Sequence, residues 1–219
     1  DLVLVGGDLV NIGLPAEFER ARAFLQRLGP ERDVLLVPGN HDAYVRSSMP
    51  AMRRHLAPWI AGLYAITIEA PAKHRLECGL FNDNTHIRIQ LKGNWAASSR
   101  DGIVRYDRAA LLFGPQTRLM PVTVTGGFVS VGMSLRPGTG HALRRFDTAE
   151  LLDRMVPVDE MGLPGARALE MLEPGDSPEA WLRMIEVISR QFIAESGGRK
   201  PDPVTVRFEE LAFADPGAN

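Results

Sequence analysis

The sequence has 219 residues, enough for one large domain or two small ones. Its net charge of −2 gives no overall attraction to nucleic acid or to an anionic membrane. A single cysteine, Cys78, excludes an intrachain disulfide and a Cys-x-x-Cys metal site, and it favours a cytoplasmic location. No apolar run approaches the roughly 20 residues of a membrane span, so no membrane partner is expected.

The first segment alternates strand, helix and strand. Residues 1–5 form a short valine-rich apolar run, which predicts a buried strand, and the chain is expected to be cut just before it. Apolar residues at helical spacing follow Pro15, and Gly29 and Pro30 end that pattern. Residues 33–37 predict a second strand. The segment is therefore expected to be a βαβ unit with parallel strands.

Polar side chains follow both predicted strands. Asp8 comes after the first strand, and Asn40 and His41 come after the second, each beside glycine. Loops after parallel strands lie at one edge of a sheet, so these three side chains are expected to converge. Carboxylate, amide and imidazole groups suit a divalent metal. The alternative is a pair of turns with a polar cap.

The pattern Gly-Asp-x-x-Asn, a helix, then Gly-Asn-His-Asp resembles two signature motifs of calcineurin-like metallophosphoesterases. The resemblance covers residues 1–62. It implies that Asp8 bridges two metal ions and that Asn40 binds one of them. It also implies a catalytic role for His41, which would stabilise the transferring phosphoryl group or protonate its leaving group. The cofactor would be Mn, Fe, Zn or Mg if the unit is completed, and otherwise none.

The family pattern is incomplete in this sequence. The family begins with an Asp-x-His motif, which would lie upstream of Asp1, and it ends with Gly-His-x-His, which does not occur here. The remaining histidines are expected to be ordinary surface or helix residues: His55, His74, His86 and His141. Three candidate ligands are too few for a two-metal centre, so catalysis by this chain is not expected.

After Gly62 the pattern becomes that of short antiparallel strands. The strands are predicted at residues 64–68, 86–92, 110–113, 118–125 and 128–135. Gly126 and Gly127 separate the last two, which predicts a hairpin. A small antiparallel barrel or sandwich is expected.

Helical signals dominate the rest of the chain. Asp147 begins a capping box, and Ser177 precedes Pro178 as an N-cap. An apolar stripe from Trp181 to Phe192 predicts a long helix whose buried face is either core or a dimer interface. Residues 201–213 predict one more short helix.

The order of these features over residues 63–219 resembles the N-terminal sensor region of AraC-type transcription regulators. The predicted fold class is α+β, with a sheet region at 63–146 and a helical region at 147–219 after the 1–62 unit. The resemblance implies a sensor for an unknown small molecule, fused to an incomplete and inactive phosphoesterase unit. DNA would be bound only through an absent C-terminal domain, and a homodimer is a further expectation.

Two alternatives remain open at this point. The chain is either such a sensor or a metal-dependent phosphoesterase that uses Asp8, Asn40 and His41. Candidate lining residues for the sensor are aromatic and aliphatic side chains of the strands, with plain core as the alternative: Phe81, Ile87, Ile89, Trp95, Phe113 and Phe128.

Overall fold

The structure, a computed structural model, describes residues 3–6, 15–30, 34–37, 56–82 and 84–214. It divides into two compact units, Asp1–Arg54 and His55–Asn219. Among the helices in these ranges, none combines the length and the apolar character needed to cross a bilayer.

The first unit contains strand β1 (Val3–Gly6), helix α1 (Pro15–Leu28) and strand β2 (Val34–Val37). The two strands pair in parallel along their whole length, from Val3 opposite Val34 to Gly6 opposite Val37. The predicted βαβ unit is therefore confirmed. The two loops that carry the candidate metal ligands lie outside the described residues.

The second unit is built on one antiparallel sheet of seven strands. Its strands are β3 (Ile60–Ile68), β4 (Arg75–Leu80), β5 (His86–Ser99), β6 (Gly102–Tyr106), β7 (Ala109–Phe113), β8 (Met120–Leu135) and β9 (Met155–Pro157). The order is β3-β8-β5-β7-β9, with β4 also on β8 and β6 also on β5. The α+β class is confirmed, and the expected barrel or sandwich takes the form of an open sheet.

The described residues after the long strand β8 include helices α2 (Thr139–Ala142), α3 (Gly165–Met171), α4 (Pro178–Glu195) and α5 (Pro203–Ala214). Of these, α3 and α4 pack on one face of the sheet. The Ser177 hydroxyl caps α4 by accepting a hydrogen bond from the Ala180 N–H at 3.2 Å, as predicted. Trp181 and Ile185 of α4 are buried in the main core, against Ile89 of β5. The apolar stripe of α4 is therefore core.

The predicted hairpin at Gly126 and Gly127 is wrong. The chain runs straight through both glycines, so that β8 is one long strand. Gly126 has φ +74°, and a Cβ on Gly127 would lie 2.6 Å from the Ile68 carbonyl oxygen. The two glycines therefore form an irregularity at the point where β8 stops pairing with β4 and begins to pair with β3.

Strand β5 changes face near its middle. Its register with β8 shifts twice between Gln90 and Asn94, and Gly93 there has φ +116°. Such bulges turn the side chains that follow to the opposite face. As a result, Arg88 and Trp95 lie on the same face although an odd number of positions separates them.

Candidate ligand-binding site

The predicted metal-site residues Asp8, Asn40 and His41 lie outside the described residues, as does His55. Within the part of the chain that the structure describes, no group of three or more His, Cys, Asp or Glu side chains is placed to hold a metal ion. His74 and His141 are exposed, as expected.

His86, Arg88 and Gln90 occupy the sheet face opposite to the helices. The alternation of polar and apolar residues along β5 predicts a solvent-exposed polar face, and this prediction is wrong. The side chains are 4%, 8% and 0% exposed, respectively. The face is buried because aromatic side chains of β5 itself and of the neighbouring β7 pack against it, namely Trp95 and Phe113.

The Arg88 guanidinium lies close to two aromatic rings. Its central carbon is 4.6 Å from the centroid of the Trp95 ring and 5.5 Å from that of Phe113. His86 stacks on Phe113, with ring centroids 4.7 Å apart and an interplanar angle of 14°. Aromatic faces attract a cation, but they provide no hydrogen-bond acceptor for its edge.

Two tyrosines approach Arg88 from β3 and β6. Gly132 of β8 pairs with Tyr64 of β3 on one side and with Arg88 of β5 on the other. A Cβ on Gly132 would lie 2.5 Å from the Tyr64 hydroxyl oxygen. Tyr64 therefore uses the space left by the missing side chain of Gly132 to extend over β8. The Tyr106 ring stacks on Trp95 with centroids 6.2 Å apart.

Most polar atoms of this cluster have no partner. The buried side-chain atoms without a hydrogen bond are Tyr64 Oη, Thr85 Oγ1, His86 Nδ1, Arg88 Nε and Nη1, Gln90 Oε1, Trp95 Nε1, Tyr106 Oη and Ser130 Oγ. Gln90 is oriented by its Nε2, which donates to the Lys92 carbonyl oxygen at 2.6 Å. Its Oε1 is therefore left as an acceptor. We call this set of residues the Arg88 cluster.

The guanidinium keeps its charge in this setting. Burial alone would lower the pKa of Arg88, but the neighbouring Tyr64 and Tyr106 raise it above its ordinary value. Both phenols lie within hydrogen-bonding reach of the Arg88 guanidinium, and these contacts contribute to its raised pKa. Neither hydroxyl completes a hydrogen bond of full geometry. Burial raises the pKa of Tyr106 to about 12, so this phenol is neutral at physiological pH.

His86 is neutral at physiological pH. Burial, and to a lesser extent the charge of Arg88, lower the pKa of its imidazole to about 3. The unfolded chain therefore binds more protons than the folded chain between about pH 6.5 and pH 3. The contribution of His86 to stability is complete above about pH 6.5 and is lost as the pH falls.

We expect His86→Gln to reduce the acid sensitivity of the fold. Between pH 7 and pH 4.5 the unfolding free energy of the parent should fall by about 2–3 kcal/mol more than that of the variant. Urea unfolding at both pH values measures the difference, with His141→Gln as the exposed control. An equal fall in unfolding free energy in the parent and in His86→Gln would show that protonation of His86 does not destabilise the folded chain.

The candidate lining residues divide between the two faces. Trp95, Phe113 and Phe128 pack around the Arg88 cluster, where the Trp95 and Phe128 rings meet edge to face at 5.0 Å. Phe81 is 58% exposed. Ile87 and Ile89 line an apolar cavity of about 70 Å³ on the helix side instead.

Sequence reasoning does not identify the members of the cluster that matter most. The alternation along β5 places Arg88 and Gln90 on the polar face of a strand, and no sequence pattern distinguishes Tyr64, Tyr106 or Ser130. A usable signal is the density of aromatic residues on strands that neighbour an alternating polar strand, because such residues cover the polar face.

Comparison with known proteins gives one family match and a set of structural likenesses. The model of calcineurin-like phosphoesterases matches residues 1–112, about half of the chain. This match extends beyond the first unit and ends in β7. Comparison with curated proteins gives no match.

The solved structures with likeness to this chain include several of ToxT from Vibrio cholerae, an AraC-type regulator. An apo ToxT variant is 10% identical, with 72% of this chain and 66% of that chain covered and a TM-score of 0.36. A ToxT structure with bound unsaturated fatty acid is 8% identical, with 73% and 65% covered and a TM-score of 0.36. The match therefore spans just under two thirds of the length of these ToxT chains.

Proposed function

This chain belongs to the calcineurin-like phosphoesterase family, and from that premise we propose that it joins a partial phosphoesterase unit to a small-molecule sensor. Residues 1–62 form the first part. Residues 63–219 form the sensor, with the sheet in residues 63–146 and a helical region after it. DNA would be bound by a separate domain, as in AraC-type regulators.

The unpartnered Arg88 cluster is the observation that carries the sensor proposal. Nine buried polar atoms in and beside this cluster lack a hydrogen bond of full geometry, and a buried polar group that stays unsatisfied costs about 1–3 kcal/mol. A bound molecule that offers hydrogen bonds would offset this cost, and the resulting gain in binding energy is what a sensor requires.

Binding can be tested without knowing the natural ligand. The full chain is heated with millimolar acetate, benzoate, benzamide, glucose, ethylammonium or inorganic phosphate, and its melting temperature is recorded. A compound at about 100 times its dissociation constant adds about 2.7 kcal/mol, which raises the melting temperature by several degrees. A flat response to every compound would contradict the sensor proposal.

A matched pair of variants locates the responding site. Tyr64→Phe removes one hydroxyl from the Arg88 cluster, whereas Ser189→Ala removes one from the lining of the apolar cavity. We expect Tyr64→Phe to reduce the rise in melting temperature with a bound compound and Ser189→Ala to leave that rise unchanged. The reverse result would assign binding to the apolar cavity.

A metal-dependent phosphoesterase is the second candidate, and the family match favours it. In that case Asp8 and Asn40 would hold divalent metal and His41 would act on the phosphoryl group. The metal would supply Lewis-acid activation of the phosphoester. The sensor proposal requires none of these roles.

Hydrolysis of bis-p-nitrophenyl phosphate with Mn²⁺ distinguishes the two candidates. We expect no turnover from this chain, because three candidate ligands are too few to hold two ions. Turnover that disappears in His41→Ala and persists in His74→Ala would establish the phosphoesterase instead.

A further inference from the structure

We propose that the Arg88 cluster binds a small monocarboxylate, with the Arg88 guanidinium as its counter-ion. This inference rests on the proposed sensor function and specifies the class of its ligand. It follows from three features of the cluster: a charge with no carboxylate partner, a group of buried hydrogen-bond donors, and a single cation beside two aromatic rings.

The uncompensated charge requires an anion. Arginine cannot shed its proton inside a protein, and an unpaired buried ion carries a penalty of several kcal/mol. Among the described residues, no carboxylate lies within the 4.0 Å ion-pair distance of Arg88. Ordered water could satisfy the hydrogen bonds but would not supply the missing negative charge.

The cluster includes three atoms that can only donate: Arg88 Nε, Arg88 Nη1 and Trp95 Nε1. The hydroxyls of Tyr64 and Tyr106 can donate as well as accept. Together these groups match the several lone pairs of an oxyanion. Gln90 Oε1 can only accept, and it provides an acceptor for a hydroxyl or amino group elsewhere on the ligand.

The cluster favours a carboxylate over a phosphate. Arg88 is its cation, Lys92 is exposed, and His86 is neutral. One positive charge neutralises a monoanion but leaves a phosphate dianion half-compensated. The guanidinium lies close to the faces of Trp95 and Phe113, and the edge of a guanidinium forms two parallel hydrogen bonds with a planar carboxylate.

The test compares each carboxylate with its neutral amide. Acetate and acetamide, benzoate and benzamide, and inorganic phosphate are titrated into the full chain by calorimetry. We expect each carboxylate to bind at least about tenfold more tightly than its amide, because a charged partner adds about 1.5 kcal/mol or more to a hydrogen bond. Phosphate should bind more weakly than benzoate.

Two variants tie this preference to named atoms. Arg88→Met removes the charge and should reduce benzoate affinity by about tenfold or more, to the level of benzamide. Tyr64→Phe keeps the ring and should reduce benzoate affinity about tenfold. Circular dichroism and urea unfolding confirm that each variant is folded.

The possible failures are distinguishable. Equal binding of amides and carboxylates, or tighter binding of phosphate, would overturn the carboxylate inference and leave the sensor proposal standing. Benzoate binding that survives Arg88→Met would overturn the role of Arg88. Binding of no compound to the folded parent, including the neutral and cationic compounds of the thermal screen, would overturn the sensor proposal itself.

Discussion

Replacing Gly114 with alanine is expected to destabilise the second unit by about 3 kcal/mol or more. Gly114 directly follows β7, and its N–H donates to the Arg154 carbonyl oxygen at 3.1 Å. A Cβ at this position would lie 1.9 Å from the Leu151 carbonyl oxygen and 2.5 Å from the carbonyl carbon. Both atoms belong to the backbone, so rotation of a side chain cannot relieve the overlap.

Urea unfolding followed by tryptophan fluorescence measures this effect. All three tryptophans of the sequence, Trp59, Trp95 and Trp181, belong to the second unit, so the signal reports on that unit. Gly175→Ala is the matched control, because a Cβ there meets nothing within 4 Å. Its expected change is below about 0.5 kcal/mol. Equal stability of the two variants would contradict the close passage of Leu151 over Gly114.

Phe113→Ala is expected to cost about 3–5 kcal/mol of unfolding free energy. The Phe113 side chain is fully buried, and its ring contacts both His86 and Arg88. Its removal leaves a cavity and also takes away one of the two aromatic rings that lie close to the guanidinium. The same urea titration gives the value.

Phe81→Ala provides the comparison for this loss. Both phenylalanines are strand-region aromatics that the sequence offers as lining residues, but Phe81 is largely exposed. Truncation of Phe81 should change the unfolding free energy by less than about 0.5 kcal/mol. A change in unfolding free energy for Phe113→Ala as small as that for Phe81→Ala would show that the packing of Phe113 does not stabilise this face of the sheet.

Elements with local signals were predictable from the sequence. The βαβ unit follows from two valine-rich runs and an amphipathic helix, and α4 follows from the Ser177 cap and its apolar stripe. These signals are contained within a few turns of chain. They also identify Asp8, Asn40 and His41 as a motif, and their roles stay a prediction.

The Arg88 cluster was not predictable, because it depends on non-local geometry. Alternation along β5 indicates which residues share a face, but not whether that face meets water. The bulges near Gly93 reverse the alternation and bring Trp95 onto the same face as Arg88. Tyr64 fills the space above Gly132 because the registers of β3 with β8 and of β8 with β5 place Tyr64 and Arg88 on either side of this glycine. The same limit explains the hairpin wrongly predicted at Gly126, where the glycine pair serves a change of neighbouring strand.

The central claim is that Arg88 is buried to bind an anion and not to stabilise the fold. The unfolding free energies of the parent and of Arg88→Met, measured without any added carboxylate, test it most directly. We predict that Arg88→Met is at least as stable as the parent, because an uncompensated buried charge is removed and methionine fills much of its space. A loss of about 3 kcal/mol or more in Arg88→Met would contradict the claim, because it would show that the folded chain itself compensates the guanidinium.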